Sequence, residues 1–204
     1  MVYTVKTYIA DSDKLIIPGR EVARYLGYSR EAIMAGDELI EKTIAGVRKL
    51  IAGKAVYCRY PLSLFGEDGI QMPYGEVHSL QLHENLKGCT EIYIFAATIG
   101  AAFDRELNRA RIRSLADAAL LQAAGAAAVE AVCDELNELL EKEAAAEGKK
   151  LRRRFSPGYG DYALENQKGI FDILNPSKLI GLSLMDTLIM SPEKSVSAVI
   201  GVEE

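Results

Sequence analysis

One segment of this sequence combines residues that could hold a small ligand, namely Arg154-Phe155-Ser156-Pro157-Gly158-Tyr159-Gly160-Asp161-Tyr162. An arginine four residues before Gly158-Tyr159 can place its guanidinium beside a tight turn with free backbone N–H groups. The planar guanidinium matches a carboxylate, and main-chain donors and acceptors match a heterocycle. The segment therefore predicts a site for a small zwitterionic ligand.

The same residues also allow a simpler interpretation. Arg154 ends the basic run Arg152-Arg153-Arg154, and such a run can be a solvated cluster at a helix end, where cations suit the helix dipole. Pro157-Gly158 can be an ordinary turn. In that interpretation Arg154 forms a salt bridge and the segment binds nothing.

Glu130 is the second candidate, because it is the first charged residue after twelve uncharged ones. On a helical wheel it shares a column with three small residues, Ala119, Ala123 and Ala126. Small neighbours allow another backbone or a ligand to come close. A partly buried carboxylate there needs a cationic partner. That partner can be a cationic group of a ligand, or an arginine of the chain such as Arg113 or Arg154.

Composition and charge exclude several function classes. The chain has 204 residues, of which 49% are hydrophobic and 26% charged, enough for a real core. The net charge of −5 argues against a nucleic-acid partner. Cys58, Cys89 and Cys133 lie far apart, which fits a reduced chain without disulfides. The N-terminus lacks a signal-peptide layout, and the uncharged stretch Ala118–Val129 is too short to span a bilayer. We therefore expect a cytoplasmic protein with no membrane partner.

Several common motifs are absent from the sequence. There is no phosphate-binding P-loop, and Phe95–Gly100 offers a single glycine where the usual methyltransferase fold has a glycine-rich turn. His78 and His83 have no cysteine or acid cluster near them at metal-ligand spacing. We expect them to be ordinary polar residues in a loop or edge strand, and we predict no metal site.

Hydrophobic periodicity predicts the elements that would position Arg154 and Glu130. Strands are predicted at Val2–Tyr8, Ala55–Pro61, Glu91–Ala97 and Ser195–Val202. Helices are predicted at Pro18–Leu26, over the apolar spacing of Ile40–Ile51, from Thr98 or Gly100 to Ala110, from a Ser114–Asp117 capping box to Ala146, and at Leu164–Leu174. Residues 64–90 are glycine-rich and predict strands or hairpins joined by loops. This mixture without a βαβ rhythm predicts an α+β fold with a mainly antiparallel sheet.

The stretch Arg154–Tyr159 resembles the Arg-x-x-x-Gly-Tyr motif in the activation domain of cobalamin-dependent methionine synthase, which binds S-adenosylmethionine (AdoMet). The resemblance implies one domain over residues 1–204. It is weaker over residues 1–90, where Arg24–Tyr28 resembles free-standing members of the family, and it covers the AdoMet-site part, 91–204, better. It implies that Arg154 donates to the AdoMet carboxylate and that Phe155, Ser156, Pro157, Gly158 and Tyr159 lie along the adenosine.

The resemblance assigns further residues to the site. Val129-Glu130-Ala131 matches an acidic position of the family, so Glu130 would face the sulfonium or the ammonium of AdoMet, and Glu147 is a weaker second acid. Tyr159 and the tail Ser183–Ser197 would face the corrin, although this tail can also be only a loop and a core strand. The family's N-terminal Asp has no clear match, and Asp11 and Asp13 are only loose candidates.

The function implied by the resemblance is that of a reactivation subunit. It would hold AdoMet during the reductive methylation of oxidised cobalamin. That cobalamin would be bound to a cobalamin-dependent methionine synthase or a related corrinoid methyltransferase. The cobalamin would belong to the partner chain, because Glu76–Gln81 lacks the Asp and Gly of the cobalt-ligand motif. A flavodoxin or ferredoxin would donate the electron. The alternatives are a non-catalytic AdoMet sensor or assembly module for a corrinoid protein, and a structural relative that binds nothing.

Overall fold

Strands and helices are mixed, without regular alternation, along the residues that this computed structural model describes, which are 3–29, 31 and 37–204. The strands there are β1 (Lys6–Ile9), β2 (Lys54–Pro61), β3 (Ser63–Phe65), β4 (Gly69–Met72), β5 (Gly75–His78), β6 (Cys89–Thr98), β7 (Lys150–Leu151), β8 (Ser183–Leu184), β9 (Met190–Ser191) and β10 (Ser195–Glu203). The helices are α1 (Gly19–Tyr25), α2 (Glu38–Arg48), α3 (Leu80–Leu86), α4 (Ala101–Arg113), α5 (Leu115–Ala146), α6 (Asn166–Leu174) and α7 (Pro176–Ile180).

Strand β6 lies at the centre of the main sheet because its residues are apolar on both faces. The sheet order is β1-β2-β6-β10-β7, and every neighbouring pair is antiparallel. Along β6, Tyr93 and Phe95 enter the core on one face, whereas Ile92 and Ile94 enter the core on the other. The predicted α+β fold with a mainly antiparallel sheet is therefore confirmed.

Helix α5 crosses the first face of this sheet and packs against α1, α2 and α4. Its N-cap is the predicted one, because the Ser114 hydroxyl accepts a hydrogen bond from the Asp117 N–H at 3.2 Å. The helix has 32 residues and is long and apolar enough to cross a membrane, but half of its most apolar window is buried inside the protein. It is the core helix of the fold.

The second face carries α6, α7, the small sheet β3-β4-β5 and helix α3. The strands within residues 64–90 were expected, but α3 was not, and the buried His83 lies on this helix rather than in a loop or edge strand. Ser79 caps α3 by accepting a hydrogen bond from the Leu82 N–H at 3.1 Å. Asp161, far along the chain, completes this cap by accepting hydrogen bonds from the Ser79 hydroxyl and the Leu80 N–H. The local sequence of α3 therefore contains only part of the signal for this helix.

Most other predicted elements are present with shifted ends. Strand β1 begins at Lys6, while the predicted start at Val2 lies outside the described residues. Helix α6 begins at Asn166 instead of Leu164, and β10 extends to Glu203. These shifts leave the site-bearing segment between α5 and α6, as the sequence predicts.

Candidate functional site

The chain that carries Arg154 runs along the outer edge of the main sheet, antiparallel to β10. Leu151 pairs with Val202, and four residues later Phe155 pairs with Val199, so β10 advances only three residues between the two pairs. The edge chain therefore holds one extra residue, as in a β-bulge. Because of it, Leu151 packs in the core under α5, whereas Phe155 packs in the core on the opposite face.

The bulge leaves the Arg154 side chain directed at helix α5. Its Nη1 donates to Asp134 Oδ1 at 2.7 Å, and its Nη2 donates to Glu130 Oε2 at 2.9 Å. The two acids lie one helical turn apart, so the guanidinium spans that turn with one terminal nitrogen for each carboxylate. The structure thus joins Arg154 and Glu130, in the salt bridge that the sequence left open as the alternative to ligand binding.

Arg154 is a fixed positive charge. Its side chain is only 24% exposed, and burial alone would lower the pKa of the guanidinium. The hydrogen bond to Asp134 and the nearby charge of Glu130 outweigh that burial and hold the pKa of Arg154 above its usual value. The neighbouring Cys133 is fully buried, which raises the pKa of its thiol, so it is an inert core residue and no nucleophile.

The turn after Arg154 uses part of its own backbone. The Gly158 N–H donates to the Tyr162 carbonyl at 2.7 Å, and the Tyr159 N–H donates to the Ser156 carbonyl at 3.2 Å. The expectation of free backbone donors is therefore wrong at these two positions, and also at Phe155, whose N–H donates to the Val199 carbonyl at 2.9 Å. Gly158 has a φ of 92°, which favours glycine there and produces the sharp reversal.

Asp161 and Tyr162 clamp this turn to the rest of the protein. The Asp161 carboxylate accepts from the Ser79 hydroxyl at 2.6 Å and from the Leu80 N–H at 2.7 Å, at the N-terminus of α3. The bond from Ser79 is the main reason why the pKa of Asp161 is lowered. Tyr162 is fully buried, whereas Tyr159 is 69% exposed. An exposed aromatic ring therefore projects from a rigidly held turn.

Two cavities flank the Arg154 bridge. The larger has a volume of about 360 Å³, and its lining residues are Asn137, Glu141, Leu151, Arg152, Arg153 and Arg154. The smaller, about 170 Å³, lies between α1 and α5, where Arg24 and Tyr25 face Glu130 and Asp134. The Arg24 guanidinium lies 4.6 Å above the Tyr25 ring. Arg24 and Tyr25, the first two residues of the stretch Arg24–Tyr28, thus form a wall beside the acids that hold Arg154.

A comparison with solved structures identifies the architecture. A crystal structure of the MetH reactivation domain bound to AdoHcy matches this chain with a TM-score of 0.73 and 16% sequence identity, covering 97% of this chain and 78% of that one. The chain has the MetH reactivation-domain fold. The resemblance indicated by the Arg-x-x-x-Gly-Tyr motif is therefore confirmed at the level of the fold. No protein-family model matches the chain, and neither does any curated protein.

Within this reactivation-domain fold, two other predicted acids are paired elsewhere. Glu147 bonds to Arg59 Nη1 at 2.7 Å and lines a separate cavity of about 510 Å³. Asp11 pairs with Lys14 at 2.9 Å in the turn after β1. The structure therefore pairs each of these acids with a cation other than Arg154.

The basic run before the motif is less uniform than its sequence suggests. Arg152 Nη2 donates to Glu203 Oε1 at 2.8 Å and to the Lys87 carbonyl at 3.1 Å, so this side chain braces the sheet edge. Arg153 is exposed. The interpretation of the run as solvated charge fits Arg153 and does not fit Arg152, whereas Arg154 forms the salt bridge that this interpretation gives it.

Sequence reasoning missed Asp134, which makes the shortest contact with Arg154. A signal for it exists, because Ala126, Glu130 and Asp134 follow one another at intervals of four and form one column on α5. Because Asp134 lies one turn from Glu130 in this column, it can be expected to bind the same cationic partner as Glu130.

Proposed function

We propose that this protein binds AdoMet beside Arg154 and supports the reductive methylation of oxidised cobalamin on a partner chain. The observation that carries the proposal is the placement of Arg154. This half-buried arginine begins an Arg-x-x-x-Gly-Tyr segment, and a bulge turns it toward the carboxylates of α5. The fold is shared with a domain whose crystal structure contains AdoHcy, the demethylated form of AdoMet.

Each site residue has a positional role in this proposal. Arg154 orients the carboxylate of AdoMet, because a guanidinium fork matches it in geometry and charge. Glu130 offsets the ammonium or the sulfonium charge. The segment Phe155–Tyr159 lies along the adenosine, and the exposed Tyr159 ring faces the corrin together with the tail from Ser183 to Ser197. The chain supplies orientation and contributes no acid, base or nucleophile to the reaction.

The proposal assigns the remaining chemistry to other molecules. The partner's cobalamin is the methyl acceptor, and a flavodoxin or ferredoxin supplies one electron. Methyl transfer from a sulfonium is strongly favourable and draws the unfavourable reduction forward. We propose a cobalamin-dependent methionine synthase as the partner and the cytoplasm as the location. The free, buried state of Cys58, Cys89 and Cys133 supports a reducing compartment.

Calorimetry with AdoMet and an absorbance titration with cobalamin test the proposal. We expect heat of binding with AdoMet and no spectral shift with cobalamin. No heat at millimolar AdoMet would overturn the AdoMet site, and tight cobalamin binding would overturn the two-chain arrangement. AdoMet binding without any turnover, in the presence of a corrinoid partner and a reductant, would identify a sensor or assembly module instead.

A further inference from the structure

Asp134 has no role in the proposed function, yet it makes the shorter of the two ion pairs of Arg154. The Nη1–Oδ1 distance is 2.7 Å, against 2.9 Å between Nη2 and Glu130 Oε2. We propose that Asp134 is an internal competitor for the ligand's carboxylate, so that AdoMet binds by displacing Asp134 from Nη1 of Arg154. This inference rests on the proposed AdoMet site and adds to it a residue that sets affinity and specificity.

The charges around the guanidinium favour such a displacement. A ligand carboxylate bound in fork geometry takes two parallel N–H···O bonds from one arginine. Both terminal nitrogens of Arg154 already donate, one to each of two different carboxylates. A guanidinium has five N–H groups, so donors remain, but adding the ligand's carboxylate without losing an acid would place three negative charges around one cation. Exchanging one acid for the ligand's carboxylate avoids that repulsion.

Exposure indicates that Asp134 is the acid that leaves. The Asp134 side chain is 66% exposed, whereas that of Glu130 is 45% exposed. The more exposed carboxylate recovers more hydration when its ion pair opens, so its release costs less. Release also separates Asp134 from the like charge of Glu130, one turn away on α5. Glu130 then stays in place as the counter-charge for the ligand's cationic groups.

The cavities support the same direction of movement. Asp134 and Glu130 line the 170 Å³ cavity, while Arg154 lines the 360 Å³ cavity together with Asn137 and Glu141 of the following helical turns. The Arg154–Asp134 pair thus stands between the two. Drug-sized ligands usually occupy pockets of about 300–1,000 Å³, and the smaller cavity alone is below that range. Opening the Arg154–Asp134 ion pair would join the smaller cavity to the larger one.

A competitor of this kind selects for ligands that carry a carboxylate. A nucleoside without an amino-acid chain has no group that can replace Asp134 on Nη1, so it leaves the ion pair closed. A ligand with the chain exchanges one carboxylate for another. Asp134 should therefore lower the affinity for the amino-acid-bearing ligand and leave the affinity for the bare nucleoside unchanged.

The test is Asp134→Asn, which keeps the shape and removes the charge. The probes are S-adenosylhomocysteine (AdoHcy), which has the carboxylate but no sulfonium, and methylthioadenosine, which has neither. We expect calorimetry to show about two- to fivefold tighter AdoHcy binding in the variant, the range of an exposed ion pair, and unchanged methylthioadenosine binding. Glu138→Gln, an exposed acid on the next turn of α5, is the control for net charge and should leave both affinities unchanged.

The outcomes separate this inference from the proposed function. AdoHcy binding that is unchanged or weaker in Asp134→Asn would overturn the competitor role while leaving the AdoMet site intact. The competitor role would also be overturned if Asp134→Asn bound methylthioadenosine more tightly to the same extent, or if Glu138→Gln bound AdoHcy more tightly to the same extent. Either result would be an effect of net charge. If neither the wild type nor Asp134→Asn binds AdoHcy or AdoMet at millimolar concentration, the proposed function and this inference are both overturned.

Discussion

Arg154 Nη2 lies 2.9 Å from Glu130 Oε2, so the two residues that the sequence assigns to opposite charges of one ligand are bonded to each other. An arginine and a glutamate that bind the two ends of a zwitterion must lie close together. The same closeness produces an ion pair between them. The contact therefore fits both a binding site and a structural bridge, and substitutions that separate ligand affinity from stability distinguish the two.

The first prediction is that Arg154→Ala weakens AdoMet binding by about 2–3 kcal/mol, the upper range for a hydrogen bond to a charged group. The matched control is Arg153→Ala, because Arg153 is an exposed member of the same basic run. We expect the control to change the binding free energy by at most about 1 kcal/mol. Arg152 is unsuitable as a control because it bonds to Glu203 at the sheet edge.

Calorimetric titration of the wild type, Arg154→Ala and Arg153→Ala checks this prediction. Similar losses in both variants would mean that the basic run acts only as a diffuse positive patch. Arg154→Lys should also bind poorly, since an ammonium cannot reproduce two parallel bonds to a carboxylate. Full affinity in the lysine variant would contradict the fork geometry and leave only a requirement for charge.

The second prediction concerns Glu130→Gln. If the Glu130 carboxylate faces the sulfonium, the variant loses more affinity for AdoMet than for AdoHcy, which lacks that charge, and this is the result we expect. The variant also loses an ion pair to Arg154, so its melting temperature should fall slightly, in keeping with an exposed pair worth about 0–1 kcal/mol. The measurement is the ratio of the two dissociation constants in wild type and variant.

Two other results would assign Glu130 differently. Equal weakening of AdoMet and AdoHcy would place the carboxylate at the ammonium, which both ligands carry. A lower melting temperature with both affinities unchanged would make Glu130 only a structural partner of Arg154.

The elements with strong periodicity were predictable from the sequence. Helix α5 combines a Ser114 cap with a long apolar stripe, and β6 is a continuous apolar run, so local signals agree with the fold at both places. Helix α3 was not predictable in this way. Its seven residues are too few to display a period, and part of its cap is supplied by Asp161 from a distant part of the chain.

The site itself was only partly predictable. The motif and the resemblance indicate Arg154 and Glu130, but neither shows that the two residues touch. That contact depends on one extra residue between Leu151 and Phe155, which is defined only by pairing with β10. A bulge has no reliable local signature, because its register is set by the partner strand. The fixed position of Arg152 likewise depends on Glu203, at the far end of the chain.

The third prediction tests how closely α5 must approach α4. A Cβ added at Gly125 would lie 2.3 Å from the ring atom Cζ of Phe103, a fully buried side chain. Gly125→Ala should therefore destabilise the fold by about 1–3 kcal/mol, as overpacking does. Gly46→Ala on α2 is the control, because no heavy atom of the described residues lies within 4 Å of its added Cβ, apart from its chain neighbours and its own helix backbone. It should be neutral or stabilise by up to about 1 kcal/mol.

Chemical denaturation of both glycine variants measures these free energies of unfolding. A neutral Gly125→Ala would mean that the Phe103 ring moves aside without cost. In that case close helix packing would not explain why glycine stands at this position on α5.

The fourth prediction is that Asp161 anchors the site turn through the N-terminus of α3. Asp161→Asn removes the charge that accepts hydrogen bonds from the Ser79 hydroxyl and from the Leu80 N–H, and we expect its melting temperature to fall at neutral pH. Asp172→Asn, an exposed acid on α6, is the matched control and should melt like the wild type. Because the turn holds Tyr159 and Arg154 in place, Asp161→Asn should also weaken AdoMet binding.

The pH dependence of that stability difference gives a separate test of the Asp161 anchor. The pKa of Asp161 is lowered in the folded protein, chiefly by the bond from Ser79. A carboxyl with a lowered pKa stabilises the fold above its unfolded pKa of about 3.9, and this stabilisation is lost as the pH falls through the folded value. The gap between wild type and Asp161→Asn should therefore be constant near neutrality and should close below about pH 4. A gap that does not narrow as the pH falls below about 4 would show that the carboxylate charge is not what holds the turn.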